Sequence, residues 1–237
     1  MLAFLQSFSL FGTVFNTVLV IIGACIGLML KKGLSDTMAD TVMKGLGLCT
    51  LFLGISGSLV GENSMILIIS MVVGTLIGQG IDLEDKIQKL GELVERKFGS
   101  KKEGQKTSIA EGFVTSSLLF CVGAMSIVGA LQSGLNLDHA VQMNKSMLDF
   151  VAAIIFASSL GVGVLFSAAF VFVYQGSITL LAEWVAPLLT ETVIHEMSCV
   201  GSVIIIGLAL NMLGITKLKV MNYVPAIFIP IILCIFM

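Results

Sequence analysis

Charged residues are scarce in this chain: only 12% of its 237 residues are Asp, Glu, Lys or Arg, whereas 57% are hydrophobic. The mean hydropathy is +1.05. A soluble domain usually carries about a quarter of charged residues, so this chain has too few to cover a surface that faces water. The composition excludes a soluble globular protein and predicts an all-α polytopic membrane protein. The chain also has no basic arm, so we expect no nucleic-acid partner.

Sequence motifs for catalysis are missing as well. There is no Walker A, GxSxG or HExxH pattern and no dense cluster of His and Cys. His195 with Glu191 and Glu196 is only a weak metal signal, and a solvated loop is the favoured interpretation. We expect no enzyme, no cofactor and no metal centre. The five cysteines form no CxxC pair and lie in apolar segments, which favours small buried side chains: they are Cys25, Cys49, Cys121, Cys199 and Cys234.

Apolar runs divide the chain into about eight membrane spans, each of about 20 residues. They begin near residues 11, 42, 65, 111, 146, 199 and 223, and the run from 146 to 190 is long enough for two spans. Gly161–Gly163 and Tyr174–Gly176 are the predicted breaks in that run, and 132–145 is a predicted polar loop before it. The N-terminus lacks the basic region of a cleaved signal peptide, so the first run is expected to remain as a helix.

One hydrophilic segment, residues 81–107, separates the third span from the fourth and holds seven of the thirteen Lys and Arg residues. Its apolar residues recur at three- and four-residue spacing, which predicts an amphipathic helix on the membrane surface. Lys and Arg in short loops mark the cytoplasmic side of a membrane protein. With eight spans, this segment lies in the cytoplasm and both termini lie outside.

The fourth span, Glu111 to Gly134, resembles the first. Aligned without gaps, residues 12–27 and 112–127 share five identities, and Asn16 and Thr17 align with Ser116 and Ser117. The alignment predicts repeat units 11–80 and 111–176, each with three spans. An odd number of spans inverts the second unit in the membrane, an architecture typical of secondary transporters and some channels. The single membrane domain, residues 1–237, then ends in a helix pair at 197–237 outside the repeat.

Glycine pairs at four-residue spacing occur in two of the predicted spans. Gly23 with Gly27 and Gly74 with Gly78 form GxxxG patterns. Such pairs let two helix backbones approach closely in a membrane. They predict tight helix contacts, within one chain or between two copies.

Polar residues inside the apolar spans are the candidate ligands: Asn16, Ser116, Ser117, Asp149 and Gln175. A carboxylate inside a membrane is costly and marks ion or proton pathways, so Asp149 is the candidate cation ligand or proton carrier. The alternative is that Asp149 lies near the outer interface and pairs with Lys145, four residues earlier on the same helix face. The amide and the serines are alternatively packing contacts. Gln175 either lies at a helix break or caps a helix end.

A combination of short motifs extends across the spans and loops. They are EGFVTSSLLFCVGAMSIVG from Glu111, KSMLD from Lys145, SSLGVG from Ser158, YQGSIT from Tyr174, NYVP from Asn222 and GTVFNTV from Gly12. Together they resemble the YdfK/YqgA-like family of bacterial membrane proteins (domain of unknown function 554). The resemblance covers nearly the whole chain and implies a multi-pass protein of the bacterial cytoplasmic membrane. It implies no substrate.

The leading hypothesis is a secondary transporter or channel for an ion or small polar solute, lined by the five candidate ligands. Because the chain has no nucleotide-binding segment, the energy would come from an ion gradient or from the gradient of the solute itself. The lipid bilayer is the expected environment, and we expect a homo-oligomer, which a channel would need. The alternative is a non-transport membrane module that binds or regulates a partner protein through the 81–107 segment.

Overall fold

The structure is a computed structural model that describes residues 8–31, 36–89, 109–121 and 124–236. All regular structure in these residues is helical. Six of the described helices are long and apolar enough to cross a membrane. The chain is therefore an all-helical protein with several membrane-spanning segments, as its composition predicts.

Ten α-helices and one 3₁₀ helix are named here, in chain order. They are α1 (Phe11–Lys31), α2 (Asp36–Ser58), α3 (Ser64–Ile81), α4 (Ile109–Cys121), α5 (Ala124–Asn136), α6 (Ala140–Leu160), α7 (Gly163–Leu180), α8 (Ala182–Val185), α9 (Glu191–Met212), a 3₁₀ helix (Val220–Phe228) and α10 (Ile229–Phe236). The candidate spans are α1, α2, α3, α6, α7 and α9. Residues 83–89 are also helical, and the rest of the predicted amphipathic segment lies outside the described residues.

Two of the predicted spans differ from single straight helices. The fourth is split into α4 and α5, which meet at an angle of 62°. The last is a 3₁₀ helix containing Pro225 followed by the short α10. Pro225 disfavours an α-helix here, because it has no N–H to donate and its ring clashes with the carbonyl group four residues earlier. The predicted count of eight spans stays a prediction.

The run from 146 to 190 divides at only one of its two predicted breaks. Gly161 has a φ of 82° and ends α6, so the break at Gly161–Gly163 is confirmed. Helix α7 continues through Tyr174–Gly176, so the predicted break there is wrong. The predicted polar loop is also shorter than expected, because α6 already begins at Ala140. Gln142 and Lys145 are consequently helical residues rather than loop residues.

By packing, the chain forms two compact units that do not follow chain order. Unit 1 comprises Met1–Ser35 and Lys106–Leu188, and unit 2 comprises Asp36–Gln105 and Leu189–Met237. Within unit 1, α1 packs along α6 and α7, and α4 packs on α7. Within unit 2, α2 packs along α9, and α3 packs on the 3₁₀ helix. The two units are defined by packing alone and do not test the inverted repeat, which stays a prediction.

Both GxxxG pairs lie at close helix contacts, which confirms that prediction. In unit 1, a Cβ atom at Gly23 or Gly27 would meet the carbonyl oxygen of Phe150 or Ile154 on α6. In unit 2, Gly74 and Gly78 lie against the backbone of the 3₁₀ helix in the same way. Glycine is required at these positions because the neighbouring backbone occupies the space of a side chain.

The region around Glu196 corrects the prediction of a solvated loop. Thr190 accepts a hydrogen bond from the backbone N–H of Val193 and caps α9, so the helix begins at Glu191 and includes Glu196. The Glu196 side chain is buried, and its Oε1 accepts hydrogen bonds from the backbone N–H groups of Glu62 (2.7 Å) and Asn63 (2.9 Å). Glu196 therefore holds the α2–α3 connection. No group of three metal-ligating side chains occurs among the described residues.

Candidate functional site

The centre of the candidate site joins three of the five predicted ligands. Asn16 on α1 donates from Nδ2 to Asp149 Oδ2 on α6 (3.1 Å) and to Gln175 Oε1 on α7 (3.1 Å). Asn16 and Gln175 are fully buried, and Asp149 is nearly so. Because α1 packs along both α6 and α7, residues far apart in the sequence meet here inside unit 1.

Lys145 and Asp149 form an ion pair on one face of α6. The ammonium group contacts Asp149 Oδ2, and each side chain is only 8% exposed. The pairing agrees with the spacing of four residues, but the pair is enclosed by protein rather than lying at an exposed interface. Opposite charges that are buried together compensate each other, whereas either one alone would be strongly destabilising. The centre of the site therefore carries two charges that cancel.

Gln142 extends the centre along α6 and was not among the predicted ligands. Its Nε2 donates to Gln175 Oε1 (3.0 Å) and to Thr13 Oγ1 (3.1 Å), and its Oε1 accepts from Ser133 Oγ (2.7 Å). Gln175 in turn donates from Nε2 to Ser126 Oγ (3.1 Å). Because the Asp149 carboxylate can only accept, Asn16 Nδ2 faces both Asp149 and Gln175 Oε1, and Gln142 must donate to that same Gln175 oxygen.

Two further contacts extend this network within unit 1. His139 Nδ1 lies 3.0 Å from Ser133 Oγ, and the imidazole ring packs edge-on against Phe11. Thr179 donates to the carbonyl oxygen of Ala130 (3.2 Å). We call the following ten buried residues the polar cluster: Thr13, Asn16, Ser126, Ser133, His139, Gln142, Lys145, Asp149, Gln175 and Thr179.

The cluster residues that were not predicted as ligands could have been recognised from a weak pattern, their helical spacing. Gln142, Lys145 and Asp149 are spaced by three and four residues, which places them on one face of a helix. Thr13 precedes Asn16 by three residues and shares its face. This signal is visible only once α6 is known to begin at Ala140, because Gln142 otherwise belongs to a polar loop.

Ser116 and Ser117 on α4 are not joined to the polar cluster by a hydrogen bond. Ser116 donates to the carbonyl oxygen of Gly112 one turn earlier (2.6 Å). Serine hydroxyls in helices commonly bond back to their own backbone in this way. The buried hydroxyl of Ser117 has no hydrogen-bond partner among the described residues. The alignment of Asn16 with Ser116 therefore does not correspond to a shared hydrogen-bond network.

One acceptor at the centre of the cluster is unused. Asn16 Oδ1 is buried and has no hydrogen-bond donor among the described residues. The amide orientation is nevertheless set, because both groups facing Nδ2 are acceptors. Buried polar atoms nearly always have a partner, so an orphan acceptor on the residue that bonds Asp149 is a candidate ligand atom.

The first turn of α5 reaches this centre. Ser126 in that turn accepts the hydrogen bond from Gln175. Cys121, the last described residue of α4, is also buried. The N-terminal end of α5 therefore lies at the polar cluster, and helix ends carry unpaired backbone groups and partial charges.

Comparison of the sequence with known proteins places this chain in a family. The model of the family described as "Protein of unknown function (DUF554)" matches residues 11–235. The chain belongs to the DUF554 family. This membership confirms the resemblance seen in the sequence motifs.

Two relatives of this DUF554 chain match over nearly their full length. The uncharacterized membrane protein YdfK of Bacillus subtilis (strain 168) is 36% identical over 225 residues, which cover 93% of this chain and 94% of YdfK. The uncharacterized protein YqgA of Escherichia coli (strain K12) is 28% identical over 217 residues, which cover 91% of this chain and 92% of YqgA. No solved structure matches the chain.

Proposed function

We propose that this DUF554 protein is a membrane transport protein, either a secondary transporter or a channel, for an ion or a small polar solute. The observation that supports the proposal is the polar cluster, in which Asn16, Asp149 and Gln175 meet inside an apolar helix bundle. Ionisable groups within membrane spans are rare and mark the paths of ions, protons or polar substrates. The orphan Asn16 Oδ1 adds an acceptor that helix packing leaves unused.

A purely structural role explains the cluster less well. A single interhelical hydrogen bond in a membrane stabilises a protein by only about 0.6 kcal/mol on average. A buried ion pair is often no more stabilising than apolar residues of the same volume. Packing alone therefore gives little reason to bury the Lys145–Asp149 pair beside three side-chain amides. Binding of an ion or a polar solute would explain why the ion pair and the amides are buried together.

The divided fourth span also favours transport. In many secondary transporters, interrupted helices direct their ends toward a binding site near the middle of the membrane. Here the first turn of α5 contributes Ser126 to the polar cluster. Backbone groups at such ends supply ligands and partial charges that no side chain has to provide.

We also propose the number of membrane spans and their arrangement. We infer eight spans by counting the six long helices, the α4–α5 pair as one span, and the shorter apolar helix Val220–Phe236 as another. The sequence alignment of residues 12–27 with 112–127 supports an inverted repeat of units 11–80 and 111–176. We propose a multi-pass protein of the bacterial cytoplasmic membrane that acts as a homo-oligomer and without catalysis.

The experiment is a flux measurement on the purified protein in proteoliposomes with a broad panel of ions and small polar solutes. We expect flux for the wild type and its loss in Asn16→Ala and Asp149→Asn. The matched control is Thr41→Ala, because Thr41 is exposed and bonds only its own helix backbone. Absence of flux over the panel, or unchanged flux in both cluster variants, would contradict transport and favour a module that binds a partner protein.

A further inference from the structure

We propose that Lys145 is a resident counter-ion and that a monovalent metal cation replaces its ammonium group at Asp149. The inference rests on the proposed function, because it names the ligand class of the same site. The ammonium group already contacts Asp149 Oδ2, as a bound cation would. Lysine is a compact positive charge on a flexible stem of four carbons, so it can leave such a position without moving its helix.

The oxygen atoms around this position match the needs of a small hard cation. Asp149 Oδ2 and Gln175 Oε1 both lie 3.1 Å from Asn16 Nδ2, so two oxygens already converge on one point. Thr13 Oγ1 lies 3.1 Å from Gln142 Nε2, which also donates to Gln175 Oε1. Carboxylate, carbonyl and hydroxyl oxygens are the ligands that hard metal cations prefer.

Asn16 supplies a third oxygen by turning its amide. Half a turn about the last side-chain torsion exchanges Oδ1 with Nδ2 and brings Oδ1 beside Asp149 Oδ2 and Gln175 Oε1. Three oxygens in contact repel one another unless a cation lies between them. The present orientation, in which Nδ2 donates and Oδ1 has no partner, is therefore the cation-free arrangement. The turned orientation is the cation-bound arrangement.

Charge balance implies that the metal cation and the Lys145 ammonium group cannot occupy the site at the same time. With Lys145 in place, the charges of the polar cluster cancel, and one more cation would leave an uncompensated positive charge in a medium of low dielectric constant. Exchange of the ammonium group for a monovalent cation keeps the sum unchanged. Asp149 is the single acidic side chain of the cluster, whereas Ca²⁺ sites use six to eight oxygens and usually several carboxylates. The site therefore fits a monovalent cation.

The test compares the thermal unfolding midpoint of purified protein in NaCl and in choline chloride at equal ionic strength. In Lys145→Met, Asp149 loses its partner, and we expect sodium to restore stability where choline does not. The concentration of sodium for half-maximal stabilisation should be roughly tenfold or more below that of the wild type, because the competing charge is gone. Lys145→Met/Asp149→Asn removes both charges and should show no sodium dependence.

The outcomes separate the inference from the proposed function. Stabilisation of Lys145→Met by sodium, or by sodium and potassium alike, supports a monovalent-cation site even when no flux is found. Equal stability in sodium and choline overturns the inference, even when the wild type transports another solute. If Lys145→Met can be purified only in sodium, the inference is supported. If it fails to fold in both salts, the pair is purely structural and the inference is overturned.

Discussion

Asn16 Nδ2 lies 3.1 Å from Asp149 Oδ2, so the first membrane helix contacts the acid of a helix 133 residues later in the chain. The same Nδ2 also contacts Gln175 on α7. One amide thereby joins three helices of unit 1 at the point where two buried charges meet. This contact lies at the centre of the polar cluster.

The Lys145–Asp149 pair should behave as a unit in stability measurements. Either Lys145→Met or Asp149→Leu should destabilise the protein by about 3–5 kcal/mol, because each leaves one charge buried without its partner. Lys145→Met/Asp149→Leu should recover most of the loss, since no buried charge remains. A double-mutant cycle on unfolding in mixed micelles measures the coupling. Additive losses would mean that the two side chains do not interact.

Gln142 should be as important for the cluster as the ligands that the sequence predicts. Gln142→Leu leaves Gln175 Oε1, Thr13 Oγ1 and Ser133 Oγ each with one hydrogen bond fewer. We expect a loss of about 1–3 kcal/mol in stability, the range for leaving a buried polar group unsatisfied. Met147→Leu is the control, because Met147 is exposed on the same helix. An unchanged unfolding free energy in Gln142→Leu would show that the network does not stabilise unit 1.

The glycines at the α1–α6 contact should not tolerate even one methyl group. Gly27→Ala places a Cβ against the backbone oxygen of Ile154, and we expect a loss of about 1–3 kcal/mol from overpacking. Gly45→Ala on α2 is the matched control, since no atom lies within 4 Å of the added Cβ. Gly45→Ala should be neutral or stabilising, because alanine favours helix more than glycine by about 1 kcal/mol. Equal stabilities of the two variants would contradict the packing of α1 on α6.

The contact between Asp82 and the start of the 3₁₀ helix should weaken in acid. Hydrogen bonds from Asn222 and Lys219 lower the pKa of Asp82 below its ordinary value of 3.8. Because the folded pKa is depressed, this stabilisation is fully present above pH 3.8 and is lost as the pH falls through the folded value. The protection factors of the amide hydrogens of residues 219–222, which correct for the intrinsic pH dependence of exchange, should therefore fall below pH 3.8.

Asp82→Asn provides the control for the acid effect. Asparagine tolerates the left-handed backbone of this position, where φ is 49°, but it cannot lose a charge in acid. The variant should show lower protection factors for residues 219–222 at neutral pH and a smaller loss of protection in acid. The same acid dependence in Asp82→Asn and the wild type would assign the effect to another group.

The membrane class and part of the candidate site could be predicted from local patterns. The Lys145–Asp149 pairing follows from helical spacing alone, and the contact at Gly23 and Gly27 follows from their four-residue interval. Asn16 and Gln175 could be recognised as polar residues within apolar runs. Their mutual contact could not be predicted, because it depends on α1 packing against α6 and α7 from a distant part of the chain.

The incorrect predictions have physical reasons of the same kind. The Tyr174–Gly176 stretch has the composition of a break, yet the Gln175 side chain finds partners across the bundle and the helix continues. The stretch around Glu196 has the composition of a solvated loop, yet two backbone N–H groups bond Glu196 Oε1 and the side chain is buried inside unit 2. In both cases tertiary contacts decide the outcome, and a local pattern does not contain them.

The central claim, that a polar pathway runs through the cluster, can be tested without knowing the solute. In a background without the five native cysteines, Ser126→Cys places a thiol beside Gln175 with little change in size. Ala153→Cys is the control, because Ala153 is fully buried where α6 packs against Gly23 of α1. Reaction with a small membrane-impermeant thiol reagent is measured from each side of oriented vesicles. A pathway predicts that Ser126→Cys reacts from both sides and Ala153→Cys from neither, whereas a thiol at 126 that reacts from only one side or from neither would contradict it.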